Sequence, residues 1–265
     1  MNWKIKLIGK KPKLNNTVLI EGLPGIGNVG KVAVDFMIDE LGAVKLYDLF
    51  SYTFPHSVFV NENNLVELPS IEIYYKKMKN GDDLLLLAGD VQPIDEVSCY
   101  EFSEKILDIL QEYDGKEIIT LGGIGLQSVP KKPKIYCTGN SQKIVDKYKK
   151  GTDVHEKLHG VVGPIVGVSG LLLGLAEKRK IPSIAFLAET YGHPMYLGVK
   201  GAREILKILD KKLGLKIKLK DLDKEIKELE KELMKRTEDL SEVSKQTAIK
   251  KLKGKLGEEE TSYIG

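Results

Sequence analysis

Residues 17–36, "TVLIEGLPGIGNVGKVAVDF", hold the densest arrangement of potential chemistry in the chain. Gly25, Gly27 and Gly30 have the G-x-G-x-x-G spacing of a dinucleotide-binding turn. Gly25, Gly30 and Lys31 also fit the glycine and lysine positions of a phosphate-gripping P-loop, with Val32 where that loop carries Ser or Thr. Both motifs rest on the same physics. Glycine lets the backbone come close, and a helix N-terminus offers free N–H groups and a partial positive charge to an anion. Asp48 follows Gly25 by 23 residues, roughly where a ribose-binding acid belongs. Three features weaken the motif. Pro24 lies inside the turn, no hydroxyl follows Lys31 to hold Mg²⁺, and similar glycine-rich turns recur at 121–128 and 159–170. The residues leave two readings. The favoured one is a tight strand-to-helix turn with no cofactor; the other is a nucleotide- or phosphate-binding enzyme using Gly25, Gly27, Gly30 and Lys31.

Other residues with chemical potential are weaker. His155 and His159 stand in "HEKLH", formally H-E-x-x-H, with Glu156 in the general-base position of a zinc protease. Gly151 and Gly160 leave room for about two helical turns, and no third ligand is evident, so no metal is expected. "AETYGHPMYLG" (188–198) carries Glu189, Tyr191, His193 and Tyr196 after an apolar run, at a strand end where α/β proteins place sites. Glu and His together suit acid–base work, but a contact surface is the preferred reading. No G-x-S-x-G nucleophile turn is present, and no catalytic residue is assigned.

The elements that would position these residues follow from the apolar pattern. Thr17–Glu21, Asp83–Ala88, Glu117–Leu121 and Ser183–Ala188 are short apolar runs that predict strands covered on both faces. Helical spacing is expected over Lys31–Leu41, Val97–Tyr113, Ser141–Lys149, Ser169–Lys178 and Gly201–Leu213. The segment from Tyr47 to Tyr75 has β-branched and aromatic residues, prolines and the turn "NENN", and predicts an antiparallel excursion. The alternation predicts an α/β fold, a mostly parallel sheet sandwiched by helices, over residues 1–213. Composition shifts at Leu213. Leu219, Leu222, Ile226, Leu229, Leu233, Leu240 and Val243 then follow heptad-like spacing, which predicts a helical or coiled-coil arm over 214–256. Residues 257–265 are expected to form a flexible acidic tail.

The bulk numbers exclude several classes. Forty-one basic against 38 acidic residues give a net charge of +3, too mild to indicate nucleic acid. Cys99 and Cys137 lack CxxC spacing, which suits a reducing cytosol rather than a disulfide scaffold. The longest apolar stretch, 160–176, is broken by glycines, so no membrane span is expected and a cytoplasmic protein is predicted.

Taken together, "IEGLPGIGNVGKVAVDFMIDELGA", "LLLLAGDVQP", "ITLGGIG", "GPIVGVSGLLLGLAEKRKIP" and "AETYGHP" resemble the archaeal proteasome assembly chaperone family. The resemblance implies a nucleoside-phosphorylase-like α/β/α sandwich without catalysis, self-association into a homo-oligomer, and binding of 20S proteasome α-subunits to promote their assembly. Some such chaperones insert a C-terminal hydrophobic–Tyr–any-residue motif between α-subunits. This chain ends Ser262-Tyr263-Ile264-Gly265, with Tyr third from last, one place from that motif. The resemblance therefore implies Tyr263, Ile264 and the Gly265 carboxylate as the partner-binding residues.

Overall fold

An apolar run that alternates with nothing polar is stable only where both faces of the strand are covered. The chain places its apolar runs in the middle of one eight-stranded sheet. The computed structural model describes residues 3–79, 81–155, 163–193, 196–224 and 226. The strands are β1 (Trp3–Leu7), β2 (Thr17–Glu21), β3 (Val44–Ser51), β4 (Phe59–Val60), β5 (Val66–Glu67), β6 (Ile71–Lys76), β7 (Leu84–Gly89), β8 (Gly115–Leu126), β9 (Ile135–Gly139) and β10 (Ser183–Tyr191). The helices are α1 (Val29–Leu41), α2 (Glu96–Glu112), α3 (Gln142–Lys149), α4 (Val168–Lys178) and α5 (Val199–Leu213).

The main sheet has the order β1-β3-β6-β7-β2-β8-β10-β9, and β4 and β5 form a separate hairpin. Its centre, β7-β2-β8-β10, is parallel. The flanks are antiparallel, so the sheet is mixed rather than mostly parallel. The sequence signal was strongest for the buried central strands, and the half-exposed flanks escaped it. β2 and β7 are buried at every position, as continuous apolar runs require. The excursion expected over residues 47–75 is the β3–β6 pair with the β4–β5 hairpin between them.

Strand alternation assigns the helices to faces. Leu19, Leu85, Leu87 and Ile118 share a core with Phe102, Ile106 and Leu172, so α2 and α4 cover that face. Gly22 and Val34 meet on the other face, where α1 packs beside α5. Trp3 on the edge strand reaches under α2, its ring 4.7 Å from that of Phe102. Glu117 is a buried carboxylate accepting from Lys147 at 2.6 Å and from Tyr148, which fixes α3 to β8. Burial beside that carboxylate pushes the Tyr148 hydroxyl well above its usual range. Cys99 and Cys137 are buried free thiols. Among the described residues no helix is long and apolar enough to cross a membrane.

The chain divides into two units, 1–218 and 219–265. Gly214, in the left-handed conformation, ends α5, and a new helical stretch covers 220–224. The remainder of the expected arm beyond residue 226, and the expected tail 257–265, lie outside the described residues.

Phe102 is fully buried at the meeting of β1, α2 and the sheet. Phe102→Ala is expected to lower unfolding free energy by about 3–5 kcal/mol, measured by urea denaturation.

Candidate functional site

The parallel strands all deliver the chain to one end of the sheet, and the glycine-rich turns lie there. A Cβ on Gly22 would sit 2.2 Å from the Gly30 carbonyl oxygen, and one on Gly30 would sit 2.4 Å from the Leu121 carbonyl oxygen. Gly27 has φ +62°, and its absent Cβ would fall 2.6 Å from Thr190 Oγ1. A Cβ on Gly123 would lie 2.2 Å from the Ile26 carbonyl oxygen. These glycines seat the β2–α1 turn, backbone to backbone, on β8 and β10. Of Gly25, Gly27 and Gly30, only at Gly25 would a Cβ meet nothing within 4 Å. A dinucleotide turn needs that opening above its middle glycine, so that the pyrophosphate can approach.

The structure does not bring Lys31 or Asp48 to that turn. Lys31 pairs with Asp35 at 3.0 Å and Asp90 at 3.7 Å, on a different groove from the one Gly25 and Gly30 line. Asp48 sits on β3, three strand spacings or about 14 Å from β2, and pairs with Lys45 at 3.2 Å. In a dinucleotide fold the second strand lies directly beside the first; here β6 and β7 intervene.

Gly25 and Gly30 do border a cavity of about 740 Å³, walled by the β2–α1 turn, the start of α2, the glycines of β8 and the start of α4. Several polar side chains in and beneath it hold these walls together. Beneath it, Glu21 accepts from Leu23 N–H at 2.9 Å and from Ser169 Oγ at 2.8 Å, tying α4 to the turn. Burial raises its carboxyl from the usual 4.5 to about 7, against the smaller opposing effect of those two donors. Gln92 donates Nε2 to the Pro24 carbonyl at 2.7 Å and accepts from Val168 N–H at 3.3 Å. Cys99 Sγ donates to the Pro93 carbonyl, and burial raises that thiol. Asp95 caps α2 by accepting from Ser98 N–H at 2.9 Å.

Most of what faces outward is apolar. Ile26, Ile94 and Val166 on the cavity rim are 53%, 72% and 82% exposed. Among the described residues, every exposed large hydrophobic except Ile5 and Val44 lies in the connections or in the first turns of α2 at this end of the sheet. The β4–β5 hairpin and its flanks contribute Val58, Phe59, Val60, Leu65, Val66 and Leu68. Such a concentration around a concave centre is the form of a protein-docking surface.

The other sequence candidates sit elsewhere. His155 forms a bridge beside Tyr136 on β9, and Glu156 and His159 lie outside the described residues. No metal-ligating cluster occurs among the described residues. Glu189 faces β9, accepting from Lys134 N–H at 3.0 Å, whereas Tyr191 stacks on His193 and meets Tyr196 edge-on. Tyr263, Ile264 and Gly265 lie outside the described residues. Sequence reasoning missed Glu21, Gln92 and Ser169. A charged residue closing an otherwise apolar strand run was the available signal for Glu21. Val97, where the helical spacing expected over Val97–Tyr113 begins, is 64% exposed. Five residues separate it from Phe102, about 140° around a helix.

Glu21 makes folding depend on pH. Between the usual 4.5 and about 7 the folded chain keeps a proton that the unfolded chain has released. Stability is therefore expected to fall by about 3 kcal/mol as pH rises through that window. Glu21→Gln keeps both hydrogen-bond partners and is expected to flatten the slope, read from urea unfolding of both proteins at about pH 5 and about pH 7.5.

The chain matches the PAC2 family over residues 19–237. It is 30% identical to the uncharacterised protein MJ1210 of Methanocaldococcus jannaschii, over the full length of both chains. Pyrococcus furiosus PbaB, an archaeal proteasome activator, is 34% identical with a TM-score of 0.81, covering 89% of this chain and 99% of PbaB. Pyrococcus furiosus PbaA, an archaeal homolog of proteasome-assembly chaperone, shares the fold with a TM-score of 0.72 at 23% identity, covering 93% of this chain and 97% of PbaA. From residue 19 through the central strands, the glycine turns and the helices of both faces, this chain belongs to the PAC2 family.

Proposed function

We propose that this protein is a non-catalytic proteasome assembly factor that binds 20S α-subunits as a homo-oligomer. The observation that carries the reading is its likeness to PbaB across nearly the whole of both chains. The site geometry supports it. Glu21, Ser169, Gln92 and Cys99 are spent on internal hydrogen bonds, and the exposed rim is apolar. A surface of that kind recognises protein rather than substrate chemistry. Tyr263, Ile264 and the Gly265 carboxylate are the portable contact. A Tyr ring and a terminal carboxylate suit a pocket with backbone and a cation at its base. Several tails on one oligomer raise the effective concentration of that contact.

A second reading follows from the description of PbaB as an activator: the same docking on α-subunits would act on the finished particle. The nucleotide-enzyme alternative is less well supported, because Lys31 and Asp48 stand apart from Gly25, Gly27 and Gly30.

Capture of purified recombinant α-subunits by the full chain tests the reading directly. Capture is expected with the full chain, and at least about tenfold weaker after deletion of residues 258–265 or with Tyr263→Ala. Full capture by the deletion variant would remove the tail from the mechanism. Failure of the full chain to bind any α-subunit would remove the function. Comparing α-ring formation with peptide hydrolysis by finished 20S particles separates assembly from activation. Calorimetry with ATP, NAD and nucleosides is expected to show no binding heat.

A further inference from the structure

Charge is divided across the apolar end of the sheet. The connections over β3, β6 and β7 carry Glu62, Glu67, Asp90, Asp95 and Glu96, without Lys or Arg. The β8–β9 connection, residues 127–134, carries Lys131, Lys132 and Lys134, without Asp or Glu. All three lysines are exposed and none forms a side-chain ion pair with a described residue. From β6 to β9 is five strand spacings, about 24 Å, with the cavity over β2 and β8 between them.

We propose that this end of the sheet is a self-association face, on which a second copy of this chain docks across a two-fold axis normal to the sheet over β2 and β8. The proposal rests on the self-association part of the reading above and names its surface. An isologous contact must be complementary to itself. An apolar centre flanked by acid on one side and base on the other meets that condition for one axis only. Rotation about the sheet normal sets Lys131, Lys132 and Lys134 of each copy against Glu62 and Glu67 of the other. Rotation about an axis running across the strands would set lysine on lysine. The chosen axis also lays each β4–β5 hairpin over the opposite β8–β9 connection. That hairpin has two-residue strands, and Phe59, Val60, Leu65 and Val66 are exposed on it. An isolated two-stranded hairpin of that kind gains little stability alone, so covering its apolar side chains favours the contact.

Sedimentation velocity of the full chain across a concentration series provides the test. Self-association is expected at low salt, weakened by added salt because its rim is ionic. K131E/K132E/K134E is expected to weaken association at least about tenfold while leaving the circular dichroism spectrum unchanged. Adding E62K/E67K to that variant is expected to restore association to within about threefold of the parent. A monomeric parent, an unaffected lysine variant, or failure of the swapped charges to restore association would each overturn the interface. α-Subunit capture is read on the same samples. A parent whose association follows these charges but which captures nothing supports this interface and sinks the proteasome reading; a monomeric parent that captures sinks the interface and leaves α-subunit binding standing.

Discussion

The seat of α1 on β8 is the contact on which the functional end of the molecule depends. At Gly30 the helix backbone lies so close to the Leu121 carbonyl that even a methyl group has no room. Neither partner is a flexible side chain, so a Cβ there would have to lift the helix or bend the strand. The same closeness recurs at Gly22 against Gly30 and at Gly123 against Ile26. These contacts fix where the β2–α1 turn runs. The turn in turn sets the Pro24 carbonyl for Gln92, and Gln92 reaches the first residue of α4. Glu21 makes the second tie from the same strand to Ser169. The cavity is thus a consequence of backbone packing, held open by two side chains that bridge its walls.

Much of this architecture was legible in the residues. β2 begins and ends where its apolar run does, and the five main helices fall where the periodicity placed them. Burial on both faces writes a strong signal because polar residues are confined to the ends of the run, as Thr17 and Glu21 are here. β1 and β9 were not legible. "WKIKL" is a sheet edge with exposed Lys4 and Lys6, and "IYCTG" is five residues long, its last two only partly buried. Such edges are defined by their partners across the sheet, which are distant in sequence. The direction of β1 and β9 was hidden for the same reason, whereas the antiparallel β3–β6 excursion was foreseen. The candidate site was legible only in its glycines. Spacing announces that something comes close to the backbone, but it does not say what. Here Thr190 and the Leu121 carbonyl are what comes close.

That ambiguity has a physical root. A phosphate and a packed strand make the same demand on a turn: no side chain in the way, and a helix that starts at once. The two uses separate in the third dimension. A nucleotide site adds a cation for the phosphates and an acid for the ribose, carried in by neighbouring elements, and here Lys31 and Asp48 face other surfaces. Fold likeness alone cannot make that distinction, because one α/β scaffold serves many unrelated ends.

The hydrogen bonds of Gln92 and Glu21 close beneath the rim, and Ile26, Ile94 and Val166 stand above them on turns and a helix start. Stability and recognition therefore reside in different residues. Exchanges at those three positions cost the native state little, since exposed side chains leave no void behind them. The rim can be altered one residue at a time toward new associates, while the glycine seat beneath admits no side chain.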